Sequence, residues 1–172
     1  LALFLVGLVA VLFARWGDMA QLQFGRWIEG RAWLALFITP ALTAACVWLT
    51  RSFFVGSEGS GIPQVIAALH APHRERLIPG LFGLRIIVGK IGVGLMGLLG
   101  GLTIGREGPT VHIGASVMYE MRRFFPRASP KLERQLLLAG AAAGLSGAFN
   151  TPLAGIVFAI EEVARSFEAR TN

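Results

Sequence analysis

The chain has 172 residues, 54% apolar and only 15% charged, with 22 glycines and a mean hydropathy of +0.62. Soluble domains of this size carry about 25% charged residues, so the composition excludes a disordered chain and implies a surface that faces lipid. The net charge of +6 sits in short basic clusters between long apolar runs, which suits positive loops beside membrane spans and argues against a nucleic-acid partner.

Residues 1 to 14, LALFLVGLVAVLFA, have neither an initiator methionine nor basic residues ahead of them. They read as a transmembrane helix cut at its start and not as a signal peptide. The polar residues from Arg15 to Arg31 read as the loop that follows. Ala32 to Thr50 is a run of 19 uncharged residues, enough to span a hydrocarbon core of about 30 Å at about 1.5 Å per residue. Trp33 and Trp48 stand near its ends, as interfacial aromatics do. Cys46, the single cysteine, lies inside this run, excludes a disulfide framework and reads as a packing residue.

Ile62 to Leu69 is apolar but too short to cross, with glycines before it and Pro72 after it, and reads as a re-entrant half-helix. Leu81 to Ile104 is long enough to span, with Gly97 and Gly101 as a small-xxx-small packing face. Arg85 near its end can snorkel. Lys90, in its middle, calls for an acidic partner inside the bundle or for the wall of a water-filled pocket. Gly92 to Gly97 resembles a dinucleotide fingerprint, but no strand precedes it.

Gly105 to Arg123 forms the next helix, closed by the basic loop RRFFPRASPKLER, whose charges from Arg122 to Arg134 sum to +4. Gln135 to Ile160 holds 26 uncharged residues, divided by Asn150-Thr151-Pro152. A residue before proline avoids the α region and proline suits a first helical turn, so one helix ends near Phe149 and another starts at Pro152. AGAAAGLSGA, 139 to 148, suits close helix packing. The expected fold is all-α and polytopic, with about seven helices, several tilted, broken or re-entrant. The chain reads as a piece, 1 to 172, of a larger membrane domain truncated at both ends. If the helices alternate in direction, the basic clusters at 74 to 76, 122 to 134 and 165 to 170 fall on one side, the cytoplasmic one.

Two segments share one design. Gly59-Ser60-Gly61-Ile62-Pro63 and Gly105-Arg106-Glu107-Gly108-Pro109 each place small residues and then proline at a helix start. Such a start leaves free backbone N–H groups and the positive end of the helix dipole, about half an elementary charge, facing what lies ahead. Buried at membrane depth, two such ends favour a bare anion without a full positive charge. The competing reading of each is an ordinary capped helix. A glutamate at such an end, Glu107, is a tethered competitor for the anion, and its protonation frees the site. Glu161 and Glu162, at the end of an apolar helix, oppose its dipole. They read either as interfacial partners of Arg165 or as a proton-accepting site near the cytoplasmic face. His70 and His112 have no partners at metal-ligand spacing, and no catalytic constellation marks an enzyme.

GSGIP at 59 to 63, GREGPTVHIGA at 105 to 115 and GAAAGLSGAFNTPLAGIVFAIEE at 140 to 162, in this order, resemble the CLC family of chloride channels and proton-coupled chloride transporters. The resemblance implies that Ser60, with Gly59 and Gly61, serves a central chloride, and that the amides of Arg106, Glu107 and Gly108 serve an outer one. It makes Glu107 the gate and Glu162 a proton relay, with Glu161 beside it and Lys90 near the proton route. Ser60, where nitrate-selecting members carry proline, implies chloride as the substrate, and no cofactor is implied. The family fold has two inverted halves per subunit and two subunits per dimer, and this chain resembles the first half. The implied partners are the lipid bilayer, the second half of the same polypeptide and an identical subunit, in a cell membrane. A passive chloride channel of the same family and a non-transporting packing or assembly subunit are the alternatives. His112 has no implied role.

Overall fold

A computed structural model of the chain describes residues 2–70, 74–124 and 129–171, with side chains described except at 74–77 and 162–171. The described residues form eight α-helices and no strand. These are α1 (Ala2–Ile28), α2 (Ala35–Phe53), α3 (Ile62–His70), α4 (Arg74–Leu81), α5 (Leu84–Leu99), α6 (Glu107–Met121), α7 (Pro130–Phe149) and α8 (Pro152–Thr171).

Local chemistry accounts for most boundaries. The α1 helix holds no proline, and Gly30 is the first residue to turn to a left-handed φ, +68°. The helix therefore runs through Arg15, Asp18 and Arg26, where the polar composition had suggested a loop. The α7 helix opens at Ser129, whose hydroxyl accepts a hydrogen bond from the Leu132 amide at 3.3 Å, with Pro130 in the first turn. It closes at Asn150, whose φ of 52° is left-handed, and α8 starts at Pro152, as the Asn-Thr-Pro signal indicates.

Two further elements differ from expectation. The fifth helix ends at Leu99 and not near Ile104, because Gly100 caps it and Gly101 turns with a φ of +80°. Gly101 thus lies beyond the helix, against the Phe24 ring, while Gly97 packs on Ile104 and Cys46. The α4 helix, with Pro79 inside it, lies in a stretch read only as basic connection. Basic residues and prolines there mask an apolar face that buries Ile78.

Among the described residues, three stretches, Ala2–Ile28, Ala32–Phe53 and Ile78–Leu99, are long and apolar enough to cross a membrane. Their outward faces carry large exposed apolar side chains, among them Phe4, Leu36, Phe37 and Val88. At the centre lies α6, buried without interruption from Gly108 to Tyr119. Helix α7 packs most closely on it. Gly114 faces Gly140, and Gly144 faces Thr110 and Val111, so near that a Cβ at any of these glycines would strike the opposite backbone. Lipid tails are as apolar as leucine, so hydrophobic burial does little between such helices, and close packing of this kind holds them together.

Candidate functional site

The two glycine-proline helix starts converge. Gly59, Ser60 and Ile62 form one wall of a cavity of about 380 Å³, and Gly105, Glu107 and Gly108 form another. Gly108 makes the approach possible, since a Cβ there would stand 2.7 Å from the Ser60 Cβ. At α6 the first bond back to the cap is Thr110 N–H to the Arg106 carbonyl, 3.0 Å. The amides of Arg106, Glu107 and Gly108 precede it and so have no partner within the helix. The Glu107 carboxylate folds back over Gly105, where a Cβ would come within 2.8 Å of its Oε2. Ser60 and Glu107 are exposed, so the cavity is open on their side.

Arg106 brings no charge to this cavity. Its guanidinium turns to α1, donating at 2.6 Å to the Ala14 carbonyl and at 2.7 Å to Asp18 Oδ1. Only its backbone belongs to the helix start. Asp18, read at first as part of a polar loop, holds this side chain in place; an acid beside an apolar run was the available signal for it.

Lys90 is buried, yet its partners are not a carboxylate. Its Nζ donates to the carbonyls of Gly59 at 2.7 Å and Glu58 at 3.3 Å. The Glu58 carboxylate instead accepts from the Gly56 amide at 2.8 Å, and Gln64 Nε2 donates to the Glu58 carbonyl at 2.6 Å. Loop carbonyls reach the ammonium first because residues 54 to 61 fold across the middle of α5, where Gly89 leaves room for the Phe54 ring. Lys90 also lines a second cavity of about 350 Å³, which shares Gly59, Ile104 and Pro109 with the first. A trans peptide is planar, with its N–H opposed to its C=O. Holding the carbonyls of Glu58 and Gly59 therefore orients the amides of Gly59 and Ser60 away from Lys90.

Arg85 Nε donates to the Phe53 carbonyl at 2.5 Å, so it satisfies the C-terminus of α2. Cys46 is buried, with Sγ 3.6 Å from the Val93 carbonyl. Glu161 is exposed on α8. Glu162 belongs to the same helix, and its side chain lies outside the described residues, as does that of Arg165.

Broken helices whose starts meet at a cavity holding Ser60 and Glu107, within an apolar exterior, define a polytopic all-α membrane protein. Residues 42–172 match the family described as voltage gated chloride channels, and the chain belongs to that family. It is 40% identical over 169 residues to the H(+)/Cl(-) exchange transporter ClcA of Citrobacter koseri, a match taking in 94% of this chain and 34% of that protein. ClcA of Salmonella typhi is likewise 40% identical, over 171 residues, 95% of this chain and 35% of that protein. The chain spans about a third of the length of the curated relatives it matches. It is a multi-pass protein of the cell membrane.

Proposed function

We propose that this chain supplies one side of a chloride pathway in a proton/chloride antiporter, with Glu107 as its gate and Glu162 as the proton site on the cytoplasmic side. The observation that carries this reading is the convergence of two helix starts on one cavity, with the Glu107 carboxylate folded over Gly105 at its edge. Each start offers N–H groups and about half an elementary charge. Chloride held by Gly59, Ser60, Gly61 and the amides of Arg106, Glu107 and Gly108 meets only neutral donors. Attraction then suffices to desolvate the ion without trapping it.

The Glu107 carboxylate competes for the same donors. When it takes up a proton it loses that attraction and leaves, and chloride takes its place. When chloride leaves, the deprotonated carboxylate can return. Exchange follows if protons reach Glu107 from one side by way of Glu162, with Glu161 and Lys90 along the route. The exposed side of the cavity is where the remainder of a longer polypeptide, inverted relative to this part, would complete the donors, and two such subunits would form a homodimer in the bilayer. The relatives named exchange transporters support antiport over passive conduction.

The deciding experiment reconstitutes the full-length protein carrying this chain into liposomes and follows chloride and protons together. A chloride gradient should drive protons uphill. Chloride flux without proton movement would make it a passive channel, and no anion flux at all would leave a packing or assembly role.

A further inference from the structure

Gly61 has a φ of +96°, and the place its Cβ would take is filled by Cβ, Cγ and Nδ1 of His112. The imidazole is fully buried and is held from its far side. Its Nε2 lies 2.7 Å from the carbonyl of Leu81, the last residue of α4. The Phe82 ring packs edge-on against it, centroids 5.1 Å apart. A carbonyl only accepts, so Nε2 carries the hydrogen; a second hydrogen on Nδ1 would be buried with no acceptor, so the ring is neutral and Nδ1 keeps its lone pair. Among the described residues Nδ1 has no hydrogen-bond partner. One turn earlier on the same helix, Gly108 rests on Ser60. Helix α6 therefore meets the 59–61 loop at two points four residues apart. The first has no side chain, and the second carries a whole imidazole.

We propose that His112 is a positioning residue of the anion site: a neutral wedge, fixed to Leu81, that sets the separation of the α3 and α6 starts and thereby the preference for anions by size. This rests on the reading of the cavity as an anion site. The wedge is stiff because it is close-packed and anchored at one end. The loop it supports is not stiff by itself, since Gly59 and Gly61 both adopt left-handed φ values, +63° and +96°, and impose no side-chain resistance. Removing the ring leaves a void beside Gly61, into which the loop relaxes and carries Ser60 with it.

The test compares wild type with H112Q, H112N and H112A in the full-length protein in liposomes, reading the ratio of chloride to thiocyanate flux alongside thermal stability. Glutamine places an amide N–H near the Nε2 position, so H112Q should keep the wild-type ratio within about twofold, whereas asparagine and alanine fall short of Leu81 and should shift it by about fivefold or more. An unchanged ratio in folded H112N and H112A, with only stability lowered, would reduce His112 to a packing residue and overturn the inference. If H112A does not fold, the near-isosteric Gln and Asn variants decide, and equal ratios in those two overturn it as well. A wild type that moves no anion overturns both the reading of the cavity and this role.

Discussion

Gly108 and Ser60 lie in direct contact: a Cβ on Gly108 would stand 2.7 Å from the Ser60 Cβ and 2.9 Å from the Ser60 carbonyl oxygen. Residues 48 apart in the chain thus touch where the two helix starts meet. The Gly108→Ala change should force the starts apart, at a cost of about 1–3 kcal/mol for overpacking. Chloride efflux from liposomes should fall sharply while the protein still elutes as a folded species. Wild-type flux from that variant would show that the site tolerates the separation.

Glutamine has the shape of glutamate without its charge. Glu107→Gln should hold the helix-end donors open to chloride at every pH, so chloride flux should lose its pH dependence. Proton coupling should vanish with it, because no titrating group then changes places with the anion. Parallel recordings with chloride and pH electrodes check both. A retained wild-type pH profile would return Glu107 to the role of a helix-end residue.

For Glu162 the expectation separates the two ions. Glu162→Gln should abolish proton movement and leave chloride movement, since the residue lies on α8, away from both helix starts in the chain. Proton transport persisting at the wild-type ratio would favour the interfacial ion-pair role for this acid pair.

The Lys90→Met change keeps most of the side-chain volume and removes the ammonium that holds the Glu58 and Gly59 carbonyls. Gln64 still serves the Glu58 carbonyl, so the lost hydrogen bond falls mainly on the Gly59 carbonyl, at about 1 kcal/mol for a part-buried pair. Thermal stability should drop and the apparent affinity for chloride should weaken, because the Gly59 and Ser60 amides lose their fixed direction. Calorimetric titration of the purified full-length protein with chloride measures this. Unchanged affinity would show that the loop holds its shape without the lysine.

The sequence by itself determined the class and most of the helical segments, though not α4. Run length decides what can span, Asn150-Thr151-Pro152 decides where α7 gives way to α8, and the glycine-proline pairs decide where α3 and α6 begin. All of these act within a few residues of backbone. Even here polar content misled at Arg15 to Arg31, since charged residues are good helix formers and only a breaker such as Gly30 ends the helix. What only the tertiary structure decided is which groups meet: Arg106 with Asp18, Lys90 with the carbonyls of Glu58 and Gly59, and His112 with Gly61 and Leu81. Several of these partners are backbone atoms, which carry no residue-specific signal. Their meeting depends on how closely whole helices approach, a distance set by glycines on opposite helices at once.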